Sequence, residues 1–349
     1  MGKPVNSAAD AFALQASHCR ALGSPFTADL CLLFAENLDD STAVGRHVLN
    51  WMGNPSHRVD AVPLRLCAGL HSLVLTGVDD ELVAAYPPHA GEVPPWPVIH
   101  RAVVKHDAFL MDWMTSPPQT NEVQRSNAIW PALQTIAEQT GLPLALWEIG
   151  ASAGLNLQLD RFSFRHANKA SGDQDSAVKL APRWSGDAPD GAPLIVEKAG
   201  CDLNPLNPAN SDHRLRLLSY VWAGQNDRVA RTAAAIDLAQ QNPVHLEQMD
   251  AVSWLRKKLL NRPTNACTVI YTTIAWQYLP DEDQKAAKAL IAASGEAADT
   301  HNPLAIVHME GDGQSPGASL TLRLWPQSVD CELARVDFHG RWVDWRGIS

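Results

Sequence analysis

Two rhythms of apolar and polar residues divide this chain. Up to about residue 140, apolar side chains recur at helical spacing. Leu30, Leu33 and Phe34 follow Ser24-Pro25; Leu66, Leu70 and Leu73 are closed by Gly77; Ile129, Leu133 and Ile136 are closed by Gly141. Ser24 reads as a cap before a first-turn proline. Asp79 or Asp80 caps a helix that stops before Pro87-Pro88, and Asn121 with Gln124 fits a capping box. Residues 87–97, rich in proline, read as a loop or hinge. After Gly141, strand-length apolar runs at 144–149, 193–196, 267–274 and 303–309, with a weaker one at 243–247, alternate with capped helices near Ser211, Asn226 and Asp281. That alternation predicts a mostly parallel sheet with right-handed crossovers. Leu320 to Trp325 and Cys331 to Phe338 follow with no helix between them, so a hairpin with an antiparallel strand closes the chain. The expected organisation is a helical lobe at 1–140 and a three-layer α/β domain with a seven-stranded sheet at 141–349. Residues 165–192, rich in Ser, Gly, Asp, Pro and Ala, read as a loop excursion or lid.

The first strand-like run, Leu144 to Ile149, ends in Gly150-Ala151-Ser152-Ala153-Gly154, and an apolar segment of helical period follows. Small residues at a strand-to-helix turn let backbone approach a ligand and aim free N–H groups at it. A dinucleotide fingerprint would need glycine where Ser152 and Leu155 stand, and a phosphate-cradling loop would need Gly-Lys-Ser/Thr where Leu155-Asn156-Leu157 stand. Two chemistries remain. Gly-x-Ser-x-Gly fits a serine-hydrolase elbow with Ser152 as nucleophile. An acidic residue followed by Gly-x-Gly-x-Gly is the first motif of S-adenosylmethionine-dependent methyltransferases, and Glu148 to Gly154 resembles it with Ser152 at the middle glycine. The hydrolase needs several strands upstream and a histidine base. The first 140 residues read as helical, and among His213, His245, His301, His308 and His339 the last is the best-placed partner.

Composition narrows the partners. A chain of 349 residues with 46% hydrophobic and 19% charged residues has ample core, and a net charge of −10 without a basic cluster argues against nucleic acid. No run approaches a membrane span and no apolar signal region opens the chain, so a cytoplasmic protein is expected. The six cysteines are scattered, with no Cys-x-x-Cys pair, and read as buried thiols; no metal is expected.

Beyond the general methyltransferase likeness, Glu-Ile-Gly-Ala-Ser-Ala-Gly-Leu-Asn-Leu, Gly-Cys-Asp-Leu-Asn-Pro and Thr-Asn-Glu-Val-Gln-Arg resemble a bacterial family of unknown function over nearly the whole chain. The resemblance implies a Rossmann-like methyltransferase fold, with S-adenosylmethionine as cofactor. It implies roles for carboxylates at successive strand ends: Glu148 near the cofactor's amine, Asp202 on the ribose hydroxyls, Asp250 near the adenine amino group. An ionised carboxylate suits those donors because it only accepts. The expected cofactor set is Glu148, Gly150, Ala151, Ser152, Gly154, Asn156, Asp202, Leu203, Asp250 and Ala251. Asp202 lies 52 residues beyond Gly150, against ~20 in the dinucleotide pattern, and the 165–192 excursion must absorb the difference. Singly, Asp250 also reads as a helix cap and Asp202 as a turn residue. Asn121, Glu122, Arg125, Trp276, Tyr278 and Glu310 are candidates to receive a small-molecule acceptor. The catalytic group and oligomeric state are not legible, and a non-catalytic binding protein on the same fold is a third reading.

Overall fold

A computed structural model describes residues 7–57 and 59–348. The chain forms two compact units, Met1–Thr120 with Asn210–Ala233, and Asn121–Ala209 with Ala234–Ser349. The first unit is helical. It contains α1 (Ala8–Ala21), α2 (Pro25–Asn37), α3 (Ala43–Leu49), α4 (Val62–Thr76), α5 (Asp80–Ala84), α6 (Trp96–Lys105) and α7 (Asp107–Met114). Gly77, left-handed at φ 68°, ends α4, and the Asp79 carboxylate caps α5. The proline-rich loop is shorter than its composition suggests, because α6 begins at Trp96. Pro97 sits in its first turn, where a missing N–H costs nothing.

The units divide near residue 120, not 140. The next helix, α8 (Ser126–Thr140), buries Ile129, Leu133 and Ile136 and packs on strands of the second unit. Conversely α9 (Ser211–Ser219) packs on α4, and α10 (Asn226–Gln241) starts in the inserted segment and ends in the second unit. Helical periodicity identifies α8 and α9 as helices but says nothing of which core takes their apolar faces.

The second unit is built on strands β1 (Leu144–Ile149), β2 (Ser163–His166), β3 (Lys169–Gly172), β4 (Lys179–Leu180), β5 (Arg183–Ser185), β6 (Ile195–Asp202), β7 (Leu246–Gln248), β8 (Cys267–Thr273), β9 (Leu304–Glu310), β10 (Ala318–Trp325), β11 (Val329–Val336) and β12 (Trp342–Trp345). Helices α11 (Ala251–Leu259) and α12 (Asp281–Glu296) serve as crossovers. The main sheet has nine strands in the order β5-β12-β11-β10-β9-β8-β1-β6-β7, not seven. From β7 to β9 the pairing is parallel; β9 to β12 run as an antiparallel meander. The two unforeseen strands are the four-residue β12 and its three-residue neighbour β5, too short to show alternation. All six residues of β1 are buried, as a central parallel strand requires.

Two local expectations fail for one reason. The segment after Gly154 is a six-residue 3-10 helix, Asn156–Arg161, and not an α-helix. From Phe162 the pattern changes to alternation, with Phe164 and His166 buried and Arg165 exposed, so the chain turns into β2. The excursion at 165–192 is accordingly no open lid: β3-β2-β4 form a small sheet, and β5 joins the main one beside β12. Among the described residues no helix is long and apolar enough to cross a membrane.

Candidate functional site

In an open parallel sheet, ligands collect outside the carboxyl ends of the strands where the strand order reverses. Here that point lies at β1, flanked by β6 on one side and β8 on the other. The Gly150–Gly154 loop leaves β1 at this point. Gly150 has φ 72°, and a Cβ there would come 2.7 Å from the Cβ of Ala275, so two strand-end loops meet because Gly150 has no side chain. Ser152 holds φ 53° without being glycine, a conformation that costs about 1–2 kcal/mol and needs support from its surroundings.

That support is explicit. Gly150 and Ala151 N–H groups both donate to the Cys201 carbonyl at 3.0 Å, and Gly154 N–H donates to the Ala151 carbonyl at 2.7 Å. Ser152 N–H donates to Asp202 Oδ2 at 2.8 Å. Asn121 Oδ1 accepts from Ala153 N–H at 3.2 Å and Leu155 N–H at 2.9 Å. Every N–H from Gly150 to Leu155 therefore has a protein acceptor, and residues 151–156 are buried. The free N–H groups that a helix start would offer are not offered.

Asn121 thus does a different job from the one its position suggests. The cap of the 3-10 turn Val123–Arg125 is the Glu122 carboxylate, which accepts from Gln124 N–H at 3.0 Å, while Asn121 clamps the loop. Arg125 donates from Nε to the Phe338 carbonyl at 3.1 Å and from Nη1 to the Thr273 carbonyl at 2.9 Å. Asn156 accepts from Ser126 Oγ at 2.9 Å and donates to the Glu122 carbonyl at 3.3 Å.

Glu148 stands at the centre, 1% exposed, with Gly200 and Tyr271 as its register partners on β6 and β8. Burial pushes its carboxyl up to about 8; the Tyr271 hydroxyl, the Arg125 charge and Asn156 hold it down, and the Asp202 charge pushes it further up. Glu148 Oε2 and Tyr271 Oη make no hydrogen bond of full geometry among the described residues, and the hydroxyl steadies the carboxylate only loosely. On β9, Glu310 accepts from Ala275 and Trp276 N–H through Oε1, both at 3.0 Å, while its buried Oε2 has no partner. Burial raises its carboxyl as well, and Arg125 opposes this. The Ser152 hydroxyl is also buried and unpartnered, so no base stands within hydrogen-bond reach of it. Among the described residues no strand precedes β1, which removes the upstream sheet that an elbow serine requires.

Asn121, Glu122, Arg125, Glu148, the loop, Asn156, Asp202 and Glu310 thus share the carboxyl edge of β1, β6, β8 and β9. Asp202 Oδ1 accepts from Asn204 N–H at 2.9 Å, and Leu203 beside it is 72% exposed. Asp250 caps α11 through Ser253 N–H at 2.8 Å, which holds its carboxyl below the usual range, and Ala251 is the first residue of that helix. Trp276 is not an open wall: it is buried in the apolar cluster of Trp147 and Ile149, its ring 4.7 Å from His308. Tyr278 is 63% exposed. Tyr271 escapes sequence reading because, inside an apolar strand run, a tyrosine reads as one more core aromatic. The turn at Phe338 is likewise visible only through its carbonyl contact with Arg125.

An α/β protein with one buried, incompletely partnered acid at its strand switch point and a second at the end of β9 is the class that fold and site define. Residues 9–345 match the family described as "Uncharacterized protein conserved in bacteria (DUF2332)", and the chain belongs to it. No curated protein and no solved structure matches the chain.

Proposed function

We propose that the second unit binds S-adenosylmethionine at the carboxyl ends of β1 and β6 and is a methyltransferase-type domain for a small-molecule acceptor. The observation that carries this reading is the Glu148 carboxyl, buried at the strand switch point with an incompletely partnered oxygen. An ionised carboxylate without a counter-charge is costly in such a place, and an arriving ammonium group removes that cost. The cofactor's methionine amine supplies one. Asp202 supports the nucleoside end. Its oxygens accept the backbone N–H groups of Ser152 and Asn204, and a carboxylate, which accepts at up to about four sites, suits the hydroxyl donors of a ribose. The exposed Leu203 next to it offers an apolar platform for a base.

The occupied loop N–H groups restrict the mode of binding. The ligand is held by the carboxylates and by loop carbonyls, with no N–H cradle. If transfer occurs, the chain's part is to position an acceptor in line with the sulfonium methyl and exclude water. Arg125 and Glu310 border that space. The same buried loop favours a second reading, a binding protein on this fold without transfer. Isothermal titration with S-adenosylmethionine and with its demethylated product tests both. Binding that Asp202→Ala weakens by ~1–3 kcal/mol supports the site, and cofactor-dependent methyl incorporation into a metabolite extract separates enzyme from binder.

A further inference from the structure

A second cleft in the same unit lies apart from the strand ends just described. It has a volume of about 470 Å³ and runs between α8, the β2–β3 hairpin and residues 188–194, within the ~300–1,000 Å³ of small-molecule sites. One wall belongs to a continuous run of aromatic rings. Trp130 stacks on Phe164 at 5.1 Å and 3°, Phe164 meets His166 at 5.5 Å, His166 stacks on Trp184 at 4.5 Å, and Trp184 on Trp345 at 5.7 Å. Trp130 and His166 from this run line the cleft. The facing wall is made of small or stiff residues, Ala188 to Pro193. It is held close to α8 because Gly191 has no side chain: a Cβ there would fall 2.0 Å from the Gln134 carbonyl oxygen. The gap between the two walls is a slot.

Of the buried side-chain polar atoms along the slot, all but one have a partner. Gln134 donates to the Gly191 carbonyl at 2.9 Å, Lys169 bonds the Ala188 carbonyl at 2.7 Å and Asp190 at 2.6 Å, and Trp130 donates to Ser171 at 3.0 Å. The exception is His166, 2% exposed, whose Nε2 has no hydrogen-bond partner among the described residues. Leaving such a nitrogen unpaired in the interior is unfavourable, so a bare ring nitrogen on a residue that lines the slot calls for an external partner.

We propose that this slot binds a flat, largely apolar heteroaromatic molecule, packed against the wall that Trp130 and His166 contribute to and hydrogen-bonded to His166 Nε2. Burial lowers the His166 pKa to about 4, so the imidazole is neutral at physiological pH and offers one donor and one bare acceptor. A cation is disfavoured, since no unpaired carboxylate lines the slot: Asp190 is bonded to Lys169.

Benzimidazole is the probe, because its ring carries both a donor and an acceptor and so fits either imidazole tautomer. Titrated into protein labelled with ¹⁵N-histidine, it is expected to saturate below millimolar concentration and to move the His166 Nε2 resonance. His166→Phe keeps a ring in the stack but removes the nitrogens, and is expected to weaken binding at least tenfold. Ala170→Phe, an exposed position on the lip of the slot, fills the space without touching the core and is expected to abolish binding. Absence of saturation up to the probe's solubility limit would overturn the proposal. So would equal affinity in either folded variant.

Discussion

Glu148 on β1 and Tyr271 on β8 are register partners, both fully enclosed, and each presents an oxygen that makes no hydrogen bond of full geometry among the described residues. Burial raises the pKa of both groups; the Glu148 carboxylate raises that of Tyr271 further, while the Tyr271 hydroxyl holds that of Glu148 down. On β1 Glu148 is the one polar side chain among six buried residues. An ionised carboxylate at such a site is costly without a counter-charge.

The pH dependence of folding follows from Glu148. Its folded pKa, about 8, lies above the ordinary 4.5, so the folded state binds the proton more tightly than the unfolded chain. The associated stability is fully present below about pH 4.5 and is lost as pH rises through 8. Wild-type protein is expected to lose stability between pH 6 and pH 9 by roughly 1–3 kcal/mol more than Glu148→Gln, which cannot ionise. Urea denaturation of both proteins at the two pH values measures this. Equal losses would show that Glu148 is already ionised or better solvated than its surroundings imply.

Tyr271→Phe removes a buried hydroxyl that makes no hydrogen bond of full geometry and whose polar neighbour is Glu148. The variant is expected to be as stable as wild type or up to ~1 kcal/mol more stable, while its affinity for the cofactor falls. Thermal unfolding together with titration separates the two effects. A marked loss of stability would mean that the hydroxyl supports the fold.

Asn121→Ala leaves the Ala153 and Leu155 N–H groups without their acceptor in a buried loop. A destabilisation of about 2–3 kcal/mol is expected, with faster hydrogen exchange confined to those two amides and their neighbours. Slow exchange at both amides in the variant would contradict the clamp.

Gly150→Ala combines an unfavourable φ of 72° with a Cβ 2.7 Å from that of Ala275. It is expected to cost ~2–4 kcal/mol. Adding Ala275→Gly should recover only the steric part, leaving the ~1–2 kcal/mol of the backbone term. Full recovery in the double variant, read by denaturant unfolding, would mean that the backbone conformation at 150 carries no strain.

Much of the sheet was legible because β1 and β8 to β11 coincide closely with apolar runs, whereas the runs at 193–196 and 243–247 overlap only the starts of β6 and β7. Alternation with helices implies parallel pairing without giving the strand order. β5 and β12 were not legible, at three and four residues. The site was legible where chemistry and position coincide, at Glu148, Asp202 and the loop between them. It was not where one residue type serves two uses. Asn121 has the sequence position of a cap and the structural position of a clamp, and Trp276 has the composition of a ligand wall and the burial of a core residue. The segment 210–233 shows helical spacing in either unit, and only packing against α4 assigns α9 to the first.

In the proposed complex the acid at the switch point receives the ammonium group of S-adenosylmethionine, and binding must then release a proton. At pH 7 Glu148, with a pKa of about 8, is mostly protonated, and pairing with an ammonium must ionise it. Titration calorimetry at pH 7 in two buffers of different ionisation enthalpy is predicted to show close to one proton released per ligand bound, and none in Glu148→Gln. Binding without proton release in the wild-type protein, or no binding at millimolar cofactor, would contradict the account.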